Sequence, residues 1–400
     1  MKKTIKLALA ATMVLGATSA FATNGTNLIG YGAKSRAMGG TAISNFNGAE
    51  TAFANPALIT ASKKTTEATV GATLLMPDVT YKETSAPASP VPDGEYSSTA
   101  GDGMIPSVAV INKVNESFAW GMALYGVGGM GVDYREEPMM GGAAAVNDNL
   151  MLMRMSIPLA YTISGFSVGI APVIEYGALS MNSYDPDGPG PATNVGGVTT
   201  DIAMGFEVGL AYNIAGFGIG LDYKSAVTHD FSNTFVSYDS TGTANSDLDT
   251  PAVIGLGLSY TIAGSTIAFD YKNIAYSSAA GFEDFGWEDQ DVFALGYEYA
   301  AEAWAVRVGY NYGASPLPTD IKDNQSFGQV QGSLMMFPAI TESHYTLGGS
   351  YNFNETITAD LAVMMATGDA SSDIPASFGG GTIEATNDQT SVSFALNYAY

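Results

Sequence analysis

The chain has 400 residues, 39 acidic against 15 basic, a net charge of −24 and no cysteine. Such acidity excludes nucleic acid as a partner, because phosphate would be repelled. The absence of cysteine excludes a disulfide scaffold, a thiol nucleophile and a thiolate metal site. With only 2 histidines, His229 and His344, a histidine-rich metal centre is excluded too, and no metal or cofactor is expected.

The first 22 residues carry Lys2, Lys3 and Lys6, then an apolar run, then Ala20-Phe21-Ala22. This is the layout of a secretory signal peptide with an A-x-A cleavage site, too short in its apolar part for a spanning helix. Export and a domain division of 1–22 signal peptide, 23–62 plug and 63–400 barrel are expected. No later stretch approaches 18 uninterrupted apolar residues, so no transmembrane helix is expected.

Residues 23–62 contain "SRAMGGTAISNFNGAETAFANPALI", rich in Gly, Ala, Ser and Asn. Asn47 with Glu50 three places on has the spacing of a capping box. The short helix it predicts ends by Ala54, because Pro56 keeps Asn55 out of the α region. Seven or so residues do not hold a helix alone in water. The small residues suit packing against a wall, with Phe46, Phe53, Leu58 and Ile59 supplying apolar contacts. The segment reads as a hatch folded into a barrel lumen, its gate residues being Gly39, Gly40, Phe46, Phe53, Asn55, Pro56 and Ala57; a disordered periplasmic tail is the alternative.

From residue 66 on, apolar and polar residues alternate with the period of a strand. Fourteen segments do so, near 66–76, 104–113, 117–127, 151–163, 166–179, 201–214, 217–224, 252–262, 265–276, 291–299, 303–313, 343–353, 356–366 and 390–400. In "DIAMGFEVGLAYNI", Ile202, Met204, Phe206, Val208, Leu210, Tyr212 and Ile214 share one face. Short links such as Ser164-Gly165, Ala215-Gly216 and Ala263-Gly264 have hairpin-turn composition. They alternate with long links near 77–103, 128–150, 180–200, 225–251, 277–290, 314–342 and 367–389, which hold most of the acidic residues. Glu67, Arg154, Glu175, Asp201, Glu207, Asp222, Lys224, Asp270, Lys272, Glu298, Arg307 and Asp360 all lie opposite the aromatic face. A cation facing lipid at mid-bilayer costs about 2–4 kcal/mol, whereas one lining a wet lumen costs little. The pattern predicts an all-β fold, a 14-stranded antiparallel transmembrane β-barrel with the hatch in its lumen, multi-pass in the outer membrane of a Gram-negative cell. Its partners are outer-membrane lipid and lipopolysaccharide, and it is expected as a monomer. The chain ends on an aromatic, Tyr400, as outer-membrane barrels do.

The third strand ends in "LYGVGGMGVDY". Gly126, Gly128, Gly129 and Gly131 there mark a bulge or close approach and suggest an opening in the wall, or else the start of a flexible loop. In the loop that follows, Met139, Met140 and Leu150 are candidates for an external hydrophobic capture groove; Met151, Met153 and Met155 alternate and read as lipid-facing. Arg154, Lys224, Lys272 and Arg307, on the lumen face, are candidate partners for a ligand carboxylate, or partners of neighbouring acids. "EDFGWEDQD" at 283–291 reads as solvated surface rather than an ordered calcium loop.

"GYGAKSRAMGG" at 30–40, "AETAFANPAL" at 49–58, "VRVGYNYGASPLP" at 306–318 and "FPAITESHYTLGGSYNF" at 337–353 resemble the hatch and late strands of the FadL/TodX family of outer-membrane transporters for long-chain fatty acids and hydrocarbons. The resemblance covers the chain beyond its leader. It implies passive uptake of a hydrophobic small molecule through a plugged barrel, with lateral exit at an inward-bent third strand. The residues alone leave a general diffusion porin for small polar solutes as the alternative. A purely structural or adhesive barrel is a further one. A hydrolase is disfavoured: Ser343 and His344 are adjacent in a strand and point to opposite faces, and His229 has no nucleophile beside it.

Overall fold

A computed structural model describes residues 24–84, 91–137, 146–182, 197–232, 234–235, 237–238 and 244–400. The leader at 1–22, Met139 and Met140 lie outside the described residues. Fourteen strands cross the wall: β1 Thr66–Thr84, β2 Gly103–Lys113, β3 Phe118–Asp133, β4 in two pieces (Asn147–Ser156 and Leu159–Ile163), β5 Phe166–Asn182, β6 Val198–Ile214 and β7 Phe217–Lys224. They continue as β8 Val253–Ile262, β9 Ser265–Ile274, β10 Gln290–Ala300, β11 Trp304–Gly313, β12 Ser343–Asn352, β13 Ile357–Thr367 and β14 Thr382–Ala399. Each pairs antiparallel with its neighbours, and β1 closes on β14 over the register Glu67↔Ala399 to Thr84↔Thr382. Closure leaves no free edge to the wall, the condition for a sheet in lipid.

The strand period sorts the side chains as expected. Phe206 is 46% exposed and Tyr310 37%, while Glu207 and Arg307, one face over, are 1% and 5% exposed. The tight turns are made at Ser164-Gly165, Ala215-Gly216 and Ala263-Gly264, each with both φ values positive. That is the type I′ pair, whose twist matches the strands it joins.

Several strands outrun their expected bounds. β1 continues through Pro77 and Asp78 to Thr84, β3 reaches Asp133, β4 begins at Asn147, and β14 begins at Thr382. The β1 and β14 extensions are paired with each other from Pro77↔Gln389 to Thr84↔Thr382, and the β3 and β4 extensions carry buried interior residues such as Val132 and Leu150. β4 is broken at Ile157-Pro158, since proline has no N–H for the ladder.

Inside the barrel lie α1 (Ala33–Ala37) and two 3₁₀ turns, Gly48–Phe53 and Pro56–Ala61. The expected helix after Asn47 is therefore a 3₁₀ turn, and the capping box is not formed. Asn47 makes no side-chain cap, and Glu50 instead accepts the N–H groups of Ala33 at 2.9 Å and Lys34 at 3.0 Å. On the long-loop side, α2 (Asn324–Met336) fills the β11–β12 connection, which the sequence reading left as a link. It is started by a capping box between Asp323 and Ser326, and its Val330 and Leu334 are buried with Phe282 and Trp287.

Candidate functional site: the hatch and the third strand

The hatch meets the wall backbone to backbone. On the inner faces of β5, β6, β7 and β11, Gly169, Gly209, Gly220 and Gly309 stand where the hatch passes. A Cβ on these glycines would overlap Ala57 N, Asn55 Oδ1, Ile43 O and Gly39 N in turn. Glycine in a strand interior is otherwise a cost; here it makes room. The wall then reaches in with polar side chains. Asp270 accepts from Ala42 N (2.8 Å) and Ile43 N (3.1 Å), Asn311 donates to Gly39 O (3.0 Å), and Thr346 Oγ1 accepts from Gly39 N (3.0 Å). From the hatch side, Asn55 Nδ2 donates to Ile43 O (2.8 Å), Leu221 O (3.2 Å) and Leu210 O (3.3 Å), while its Oδ1 caps Ala57 N at 3.0 Å. Asn55, Pro56 and Ala57 are buried, as is Phe53, which packs on Tyr125 at 4.8 Å between centroids. Phe46 is half-buried against the same core. Gly39 and Gly40 both have positive φ and let the chain turn against β11.

The four lumenal cations are brought to the hatch level but are already engaged. Arg154 Nη2 pairs with Glu175 at 2.7 Å and its Nη1 with Glu207 at 3.1 Å. Arg307 is held by Glu298 (2.6 Å), and its Nη1 donates to Ser350 Oγ (2.6 Å), which itself bonds Asp360. Lys224 donates to Ala54 O at 2.8 Å beside Asp222, and Lys272 donates to Ile29 O and Gly40 O, both at 3.2 Å. Lys224 and Lys272 border a cavity of about 40 Å³ between the hatch and β7–β9, room for a few water molecules. Its lining is mixed: Leu28, Ala42, Ile43, Val253 and Ile274 stand beside Asn24, Asn27, Ser35, Asp222 and Asp270, each of which keeps one buried side-chain polar atom without a partner among the described residues.

Two hatch groups that the sequence reading did not single out as ionic elements are charged and buried. Arg36 Nε and Nη1 have no acceptor among the described residues, and burial pulls its guanidinium down to about 10. Burial, with Asp360 nearby, pushes the Glu50 carboxyl up to about 7 against the opposing pull of Lys34 and the two amides it accepts. Neither role has a spacing signal, because the partners come from elsewhere in the fold.

The third strand departs from the wall. The β2–β3 ladder stops at Ser107↔Tyr125, although β2 runs on to Gly103 and β3 to Asp133. Pro106, with no N–H to offer, stands at that point. On the other side β3 stays paired to β4, but with a bulge between Gly126 and Gly128. Alternation is lost there: every residue from Gly126 to Val132 is buried, and Val127, Met130 and Val132 join the interior core. The bulge receives the leading end of the hatch, with Gly129 N donating to Thr26 O at 3.1 Å and a bridge between Asn27 and Gly128. A Cβ on Gly128 would overlap Thr26 O, and one on Gly131 would crowd Asp148 O at 2.9 Å.

Leu150 lies within β4, not in the preceding loop, and its side chain is buried in the interior core. Ser343 Oγ faces outward to Tyr310 at 3.0 Å, and His344 is buried on the inner face of β12. His229 stacks on Phe231 and lies 3.3 Å from Glu175.

The description Outer membrane protein transport protein (OMPP1/FadL/TodX) matches residues 7–400. Among solved structures, the toluene transporter TodX of Pseudomonas putida superposes with a TM-score of 0.69 at 18% identity, covering 94% of this chain and 99% of that one. A FadL homologue of Pseudomonas aeruginosa gives 0.69 at 16%, covering 94% and 99%. The toluene transporter TbuX of Ralstonia pickettii gives 0.65 at 16%, again covering 94% and 99%. At these identities the likeness is one of fold. An uncharacterized protein from the phosphoenolpyruvate carboxykinase gene 5' region of Chlorobium limicola is 47% identical over 79 residues, which span 20% of this chain and only 39% of that relative. With a family match over nearly the whole length and a closed fourteen-strand barrel plugged by its own N-terminal segment, the chain belongs to the OMPP1/FadL/TodX family of outer membrane transport proteins.

Proposed function

We propose that this barrel, as a monomer in outer-membrane lipid, takes up small hydrophobic molecules passively, long-chain fatty acids or hydrocarbons, and releases them sideways between β2 and β3. The single observation that carries this is the split ladder, where two adjacent strands run on unpaired past Ser107 and Tyr125 and one of them bends inward on glycines. The physics favours it. Each methylene kept out of water is worth about 0.8 kcal/mol, so an apolar solute gains by passing from lumen to lipid without crossing the periplasm free. The axial route is filled by backbone-anchored hatch and charged side chains around a cavity of about 40 Å³. The solutes of the structural neighbours, toluene and other monoaromatic hydrocarbons, support the class of solute.

In this reading Gly39, Gly40, Phe46, Phe53, Asn55, Pro56 and Ala57 hold the hatch, and Gly126, Gly128, Gly129 and Gly131 form the opening. Met139, Met140 and Leu150 serve hydrophobic capture. A ligand carboxylate reaching the cavity would compete with hatch carbonyls for Lys224 and Lys272; Arg154 and Arg307 are more firmly held by acids. The chain lacks cysteine, so an Ile105→Cys/Gly126→Cys pair can be oxidised across the seam without side reactions. The oxidised barrel in vesicles is expected to lose most alkane uptake and to regain it on reduction. Uptake indifferent to the cross-link would reject the lateral exit, and rapid swelling of vesicles in small sugars would establish the porin instead.

A further inference from the structure

The leading end of the hatch is held from outside as well as by the wall. Tyr276 follows β9 in the connection to β10 and is fully buried. Its hydroxyl accepts the Thr26 N–H at 2.7 Å and donates to the Asn24 carbonyl at 2.9 Å. Its ring lies on Gly25, where φ is +61° and a Cβ would overlap the phenol. Behind the ring stand Phe282 and Trp287, with centroids 5.3 and 5.1 Å away, and Trp287 Nε1 donates to Ser333 Oγ of α2 at 3.3 Å. On the far side of the Asn24–Asn27 turn, Thr26 O accepts from Gly129 in the β3 bulge. A contiguous set of contacts thus runs from the outer helix α2, through Trp287 and Tyr276, to the glycines at the end of the β2–β3 seam.

We propose that Tyr276 is a positioning residue for transport: it clamps the Asn24–Asn27 turn onto the Gly128–Gly129 bulge and passes displacements of α2 to the seam. The inference rests on the reading of that seam as the exit. The chemistry suits tyrosine specifically. One buried hydroxyl bonds a donor and an acceptor two residues apart, and its loss leaves the Thr26 N–H unpaired, the costly case for a hydrogen bond, while the Asn24 carbonyl keeps the Asn27 N–H at 3.0 Å. A rigid ring with neighbours on one face and a glycine on the other cannot move without moving the turn.

The test is amide hydrogen exchange of the barrel in lipid nanodiscs, comparing the parent with Tyr276→Phe, which keeps the ring, and Trp287→Phe, which loses the bond to Ser333 and part of the indole that backs the Tyr276 ring. In Tyr276→Phe, the Thr26 and Gly129 amides are expected to exchange about tenfold faster, with Val308 in β11 unchanged. Trp287→Phe is expected to act in the same direction by about threefold. Gly25→Ala, which pushes the ring from its other face, should reproduce Tyr276→Phe. A Gly129 amide unmoved by Tyr276→Phe, or moving together with Val308, overturns the clamp, and Gly129 unmoved by Trp287→Phe overturns the relay from α2. Alkane uptake by vesicles carrying the same variants separates the two readings. It should rise about threefold in Tyr276→Phe; if exchange behaves as stated but no form of the protein carries alkane, the transport reading fails and the clamp stands.

Discussion

Asn55 shows how one side chain can dock a whole segment. Its amide donates to three carbonyls, two of them from wall strands 155 and 166 residues away, and its oxygen caps the next turn. Aspartate has the oxygen but no N–H, and alanine has neither. Asn55→Ala is expected to weaken hatch docking by about 2–3 kcal/mol, since carbonyls are left buried and unpaired; limited proteolysis at the hatch would register it. Glu50 makes the docking depend on pH. Its carboxyl titrates near 4.5 when free and at about 7 in place, so the docked hatch binds the extra proton between those values. Docking is therefore strongest below 4.5 and weakens as pH rises to about 7, a span worth on the order of 3 kcal/mol. Hatch amide protection factors, corrected for the intrinsic rise of exchange with pH, that fall from pH 5 to pH 8 in the parent and stay flat in Glu50→Gln would bear this out. In the sequence, Asn55-Pro56 is visible as a stop signal within the hatch and Glu50 as half of a box with Asn47, but not the atoms they bond, because local spacing holds no information about partners on other strands.

At the scale of elements, strands were the legible part. Period two and the Ser-Gly and Ala-Gly turns place all fourteen, since those signals are written within ten residues of each other. Less visible were the ends of β1 and β14, which pair on past their alternating stretch, the end of β3, which turns into the interior, and α2, whose capping box and Val330/Leu334 pair sit in a weakly amphipathic stretch. The use of the wall glycines was hidden: glycine at one inner position per strand means nothing until the strands are side by side. Gly309→Val tests that use. The added side chain runs into Gly39 N and Met38 C of the hatch and into the Thr346 hydroxyl that bonds Gly39, while valine suits the strand backbone. The hatch is expected to lose protection and become cleavable, with the heat-modifiable shift of the barrel on gels unchanged.

For the whole molecule, the governing term is the solvent on each side of the wall. Lipid outside accepts Ile202, Phe206 and Tyr310, exposed as they are, and the lumen accepts the ion pairs of Arg154 and Arg307. Phe206→Arg should cost about 2–4 kcal/mol in folding into a bilayer, read by denaturant titration from vesicles. A substitution to Arg at the water-facing Glu136, beyond the belt, should cost far less.

The seam between β1 and β14 carries a consequence for biogenesis. It is the first strand zipped to the last, down to the paired amides of Thr66 and Tyr400. The wall is therefore a cylinder only when its final residue has arrived, and until then it is an open curved sheet. The N-terminal leaf, bonded to β6, β7, β9 and β11, can lie against that sheet while it is still unrolled. Rolling up around an inner template means that the bore is shaped on its own stopper, instead of being built empty and corked afterwards.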